Sequence, residues 1–126
     1  MKKETTQINT TVEPKVIDAS GKVLGRVATE AAMHLMGKTS AKFERNVFSG
    51  LPVKIINAGA LKITGKKLAE IQHTRYSGYP GGLRVIKGKE TAEKKGLKEL
   101  IKLAIYQMLP DNKLRRKMMV GLEITD

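Results

Sequence analysis

Apolar residues recur at three- and four-residue spacing from Leu24 through Val27, Ala28 and Ala31 to Leu35, which predicts a helix with one buried face. Just ahead of it, Val16 and Ile17 begin a short strand that breaks at Asp18, Ser20 and Gly21. Ser20 stands where an N-cap acceptor would start the helix, and Gly37 where a left-handed residue would end it. Lys22 and Arg26 fall at the strand-to-helix turn, where the first unpaired N–H groups of a helix favour anions.

The pattern continues with Val53 to Asn57, a β-branched run behind a proline that predicts a second strand. Leu61 to Thr64 reads as a short turn or an edge strand, with no clear helical pattern after it. Ile71 to Tyr76 is irregular and polar, as an edge strand would be. Three glycines and a proline make Ser77 to Leu83 a specific loop. From Thr91 to Leu109, the stripe Leu97, Leu100, Ile101, Ala104, Ile105 and Met108 predicts a helix split by Gly96 and stopped by Pro110. A short basic helix capped by Asn112 should run to Met119, with Leu114 and Met118 facing the core, and Leu122 to Thr125 should form a last strand. Strands separated by helices point to an α/β fold with parallel pairing, a right-handed crossover and helices on both sheet faces. Residues 1–14 read as a polar tail and residues 15–126 as a single domain.

Charge changes the picture most. The 126 residues carry a formal net charge of +12, from 24 basic and 12 acidic side chains. Such a surplus calls for a polyanion, with nucleic acid ahead of an anionic membrane surface. No cysteine is present, which excludes disulfides, a zinc ribbon and a thiol nucleophile. His34 and His73 have no acidic neighbours at metal spacing, so neither a metal nor a cofactor is expected. No apolar run approaches the ~20 residues of a membrane span, and the start lacks a secretory apolar region, so a cytoplasmic location is expected.

The basic residues cluster. Lys62, Lys66, Lys67, Arg75, Arg84, Lys87 and Lys89 surround a lone Glu70, with Tyr76 and Tyr79 interleaved beside the glycines. Arginine forks onto phosphate, tyrosine stacks on bases, and glycine lets a backbone approach closely. His73 is a weaker candidate for an RNA contact in the same stretch. Lys38, Lys42 and Arg45 form a basic loop after the first helix, and Lys113, Arg115, Arg116 and Lys117 form a second cluster. The segment from Gly59 to Lys67 fails as a nucleotide phosphate loop. Five residues, not four, separate Gly59 from Gly65, and Lys67 stands where a hydroxyl would hold magnesium. No nucleophile, base and orienting group come together, so no catalytic residue is expected.

The segments VIDASGKVLGRVATEAA, INAGALKITGKK, YSGYPGGL and MLPDNKLRRKM, in that order, resemble the large-subunit ribosomal protein L13 family, in its bacterial-type branch. The resemblance implies a three-layer α/β/α domain with a small, mainly parallel four-stranded sheet in order 3-2-1-4, the Val16 strand inside. It further implies a non-catalytic constituent of the large ribosomal subunit that binds large-subunit rRNA and supports early subunit assembly beside neighbouring ribosomal proteins. Lys22, Arg26, Lys66, Lys67, Tyr79, Arg116 and Lys117 stand at matching positions. The chain departs from the family where Pro14 and Lys15 replace an aromatic residue, where Gly96 replaces a common proline, and where Arg115 replaces a frequent glycine. It also ends soon after the last strand, so contacts of a longer C-terminal tail are expected to be absent. A non-ribosomal RNA-binding regulator, or a small nucleotide-dependent enzyme, are the alternatives.

Overall fold

The structure is a computed structural model that describes residues 12–126. Most of the expected polar tail lies outside the described residues. The elements are β1 (Lys15–Asp18), α1 (Leu24–Met36), β2 (Val53–Ile56), a 3-10 turn (Ala58–Ala60), α2 (Gly65–Glu70), β3 (Gln72–Tyr76), β4 (Leu83–Lys87), α3 (Gly88–Lys95), α4 (Leu97–Met108), α5 (Leu114–Val120) and β5 (Leu122–Ile124). No described helix is long and apolar enough to cross a membrane.

Among the described residues, β1, β2 and β5 form a parallel sheet in that order, while β3 and β4 form a separate antiparallel hairpin. This corrects the expected order. β2, not the Val16 strand, occupies the centre, and a fourth strand is not part of the sheet. The burial explains the choice. Val53 and Ile55 of β2 are fully buried, whereas only Ile17 of β1 is. An edge position leaves Lys15 and Asp18 in solvent.

The register places Ile17, Ile55 and Ile124 in one row and Val16, Lys54 and Glu123 in the row behind it. The first row faces the core. The second is open: Val16 is 52% exposed, and Lys54 pairs with Glu123 at 3.1 Å in solvent. A three-layer sandwich would bury both faces. The described residues instead bury one sheet face only, which corrects the expected α/β/α layering to a mixed α/β architecture.

That face packs against α1, whose Leu24, Val27, Ala28, Ala31, Ala32 and Leu35 are all buried. The alanines allow close approach of α4, which contributes Leu100, Ile101 and Ile105 to the same core. Gly37 ends α1 in the left-handed region at φ +81°, with its N–H donated to the His34 carbonyl and that of Lys38 to the Met33 carbonyl. A Cβ there would sit 2.7 Å from the Ser49 carbonyl, so only glycine fits. Ser20 does not cap α1; Val23 holds the N-cap position with no side-chain bond.

Three elements differ from expectation. α2 follows Thr64, whose hydroxyl accepts the Lys67 N–H at 3.3 Å and caps a six-residue helix. β4 starts at Leu83, where the expected loop ends, and covers residues for which no element was expected; α3 starts at Gly88 rather than Thr91. Gly96, at φ +83°, separates α3 from α4 as expected, and the Asn112 side chain accepts the Arg115 N–H at 3.1 Å at the start of α5. Met118 of α5 is buried and Leu114 half-buried, as the basic helix required.

Candidate nucleic-acid interface

The hairpin carries exposed charge on both of its strands. Arg75 of β3 lies directly opposite Arg84 of β4, and Tyr76 opposite Leu83. Like charges facing each other across a strand pair destabilise it. Neither arginine has an ion pair among the described residues. At the tip Gly78 and Gly81 have φ of +86° and +74°, and the Gly82 N–H is donated to the Tyr79 carbonyl at 3.0 Å. This turn holds Tyr79 outward, 76% exposed, near Tyr76, which is 64% exposed. The result is an arm that presents two guanidinium groups and two phenol rings to solvent.

A second basic site forms where β1 turns into α1. The Lys62 N–H is donated to the Lys22 carbonyl at 2.9 Å, which brings two segments distant in sequence side by side. Asp18 braces this turn. It accepts the Asn57 side-chain amide at 3.0 Å and the Ser20 N–H at 2.9 Å. These two bonds, with the nearby Lys22 charge, hold its carboxyl below the usual carboxylate value. Asn57 sits in the left-handed region at φ 57°, which asparagine tolerates. Lys22 is 3.5 Å from Glu30 in solvent, a contact worth little. Arg26, Lys62, Lys66 and Lys67 are exposed without ion pairs among the described residues.

His73 is placed differently from the surface contact expected. It is 8% exposed, and neither ring nitrogen has a hydrogen-bond partner among the described residues. Burial pushes its imidazole below the ordinary histidine value. It lines a cavity of about 300 Å³ between the start of α1, α2, β3 and α4. Val23, Leu24, Ile63, Ile71, Ala104 and Met108 supply the apolar walls, with Lys62, Thr64, Lys67 and Gln107 as the other polar groups. Sequence reading missed this cavity, because its walls come from four separate elements.

Arg115 is also placed differently. Its guanidinium lies 3.9 Å from the centre of the Tyr106 ring and 2.7 Å from the Asp111 carboxylate, and its side chain is 18% exposed. Those contacts commit it to bracing α5 against α4. The spacing of Asp111 and Arg115, four residues apart, was the available signal. Lys113, Arg116 and Lys117 remain exposed, as do Lys38, Lys42 and Arg45 in the loop after α1. Phe43 and Phe48 half-bury themselves to anchor that loop, while Val47 stays exposed. The described residues contain no cluster of metal-ligating side chains.

Comparison with known proteins bears on the whole of this surface. Residues 13–125 match the family model described as ribosomal protein L13. The chain is 45% identical over 109 residues to the large ribosomal subunit protein uL13 of Syntrophotalea carbinolica, covering 86% of this chain and 76% of the relative. It is 46% identical to that of Moorella thermoacetica, over 86% and 75% of the two chains. The uL13 of Thermotoga maritima is 44% identical, over 86% and 72%.

Proposed function

The chain belongs to the ribosomal protein L13 family, and from that premise we propose that it is a structural constituent of the large ribosomal subunit that binds large-subunit rRNA. The observation that carries the reading is the facing pair Arg75 and Arg84, kept side by side with no ion pair to either among the described residues. A polyanion removes the repulsion that this arrangement otherwise costs. The relatives' names supply the setting, and the charge supplies the chemistry.

The mechanism is electrostatic and geometric. A buried α/β core fixes the basic turn at Lys22 and Lys62, the hairpin arm, the Lys38 to Arg45 loop and the exposed side of α5. Each touches a different stretch of RNA backbone and releases counterions. Recognition rests on the shape of the folded RNA more than on its base sequence. The role includes no catalytic step. It extends to an early place in subunit assembly, to contact with neighbouring ribosomal proteins, and to the cytoplasm as the compartment.

Binding to large-subunit rRNA and to an unstructured RNA of equal length, followed across a salt series, tests this. If about eight phosphates are covered, the slope of log affinity against log salt is expected near −7. Folded rRNA should hold its advantage at moderate salt. A slope near zero, or equal binding to both RNAs, would sink the proposal.

A further inference from the structure

The β3–β4 hairpin has two unlike faces and an open edge. Side chains alternate along a strand, so Arg75, Arg84 and Ile86 share one face, while Thr74, Tyr76, Leu83, Val85 and Lys87 share the other. On that second face Tyr76, Leu83 and Val85 are all exposed. The main chain is fixed as well. The Ser77 N–H is donated to the Gly82 carbonyl at 3.4 Å, and the Gly88 N–H to the Ile71 carbonyl at 2.7 Å, one bonded pair at each end of the hairpin. Bonded and non-bonded pairs alternate in an antiparallel ladder. The pairs Tyr76–Leu83 and Thr74–Val85 fall between the bonded ones. The N–H and carbonyl groups of Leu83 and Val85 therefore point away from β3, and β4 pairs with no other strand among the described residues. The same two residues thus present apolar side chains and unpaired backbone groups.

The chemistry of this edge selects its occupant. Each residue along it offers one donor and one acceptor. Phosphate oxygens only accept, so an RNA backbone leaves the outward carbonyls without donors. An extended peptide supplies both groups at strand spacing. Residues 71–89 hold Arg75, Arg84, Lys87 and Lys89 and no acidic side chain. Lys87 ends the row of Leu83 and Val85, with no ion pair among the described residues. A second copy of this chain would bring the same positive charge to the same edge. The five residues of β4 are also few against the roughly 20–30 per side of a stable interface. We infer that the outer edge of β4 takes up an extended segment of a partner protein as a third strand, its apolar side chains over Leu83 and Val85 and a carboxylate at Lys87. Strand addition of this kind draws affinity from main-chain bonds and specificity from alternate side chains. The arginine face stays open to RNA, so one hairpin joins a protein to a nucleic acid. The inference goes beyond the RNA-binding reading and does not depend on it.

The probe is a short peptide of alternating valine and threonine with aspartate at both ends. Two controls carry lysine at both ends, or methyl groups on alternate backbone nitrogens. Amide hydrogen exchange of the full-length protein gives the first readout. Exchange at Leu83 and Val85 is expected to slow roughly tenfold with the acidic peptide, while Arg84 and Ile86, already bonded across the hairpin, change little. Either control peptide should bind about tenfold more weakly. Val85→Pro removes the outward N–H and no bond of the hairpin, a position where proline is tolerated. It should weaken the acidic peptide about tenfold and leave RNA binding unchanged. Lys87→Glu should reverse the order of the acidic and lysine-ended peptides, which loss of folding would not do. Slowing spread evenly from Leu83 to Ile86, none at all up to about 1 mM peptide, or equal binding of the methylated peptide overturns the inference. Protection of Leu83 and Val85 that grows with protein concentration alone assigns the edge to a second copy and overturns it too. So does unstructured RNA that displaces the peptide and protects the same two amides. Failure of large-subunit rRNA to bind at low salt fails the RNA-binding reading and leaves this one standing.

Discussion

β2 and the β3–β4 hairpin draw on similar residues and spend them differently. Val53 and Ile55 of β2 are fully buried, while Val85 and Ile86 of β4 are exposed. β2 is paired along both edges and covered by helices on one face. The hairpin pairs only with itself, and a lone two-stranded hairpin is marginal in water. Its base is tied down by the buried His73 and by the Gly88 N–H, donated to the Ile71 carbonyl at 2.7 Å. Beyond that base it carries aromatic rings and facing arginines into solvent. The first region is stabilised from within, and the second leaves its charges and rings in solvent.

Three variants test that contrast. Ile55→Ala empties a fully buried site in the central strand and should cost about 2–5 kcal/mol, read from urea unfolding. A loss below about 1 kcal/mol would deny β2 its central place. Arg84→Gln acts on the other region. It should leave stability within about 0.5 kcal/mol, or raise it slightly by relieving Arg75, and lower the salt slope of RNA binding by about one. A slope that does not move would remove Arg84 from the interface.

The smallest effect is expected at His73, in the base of the hairpin. Its folded-state pKa is lowered from 6.5 by burial, so below that pH the unfolded chain takes up a proton that the folded chain resists. Stability should be full above about pH 6.5 and fall as pH drops below it. His73→Phe should flatten that limb, seen by comparing urea midpoints at about pH 7.5 and about pH 5.5. An unchanged limb would assign it to another group.

The sequence displayed α1 and α4 openly because each buries a single stripe, and burial leaves a period. The ends at Gly37 and Gly96 were legible for a related reason, since a left-handed backbone selects its residue. β4 was not legible: with all five of its residues exposed, no apolar alternation records which side faces in. α2 is six residues long and fixed by one Thr64 bond, too short for a periodic signal. The strand order failed for a different reason. Whether the Val16 or the Val53 strand is central depends on which edges β5 meets, a contact between distant parts of the chain. Among the candidate site residues, most lysines and arginines are exposed, as charge alone dictates. His73 and Arg115 broke the rule because their neighbours, α4 and Asp111 with Tyr106, act through packing.

The position of β5 has a consequence for how the molecule comes into being. The second edge of β2 stays uncovered until residues 122–124 have been synthesised, and Thr125 then donates its N–H to the Ile55 carbonyl at 2.8 Å. Nascent chains shorter than that expose a bare parallel edge of apolar residues, a template for pairing with other chains. The closing contact joins parts of the chain far apart in sequence, the kind of pairing that slows folding. Deleting residues 122–126 should therefore turn a paired central strand into an open edge of the sheet.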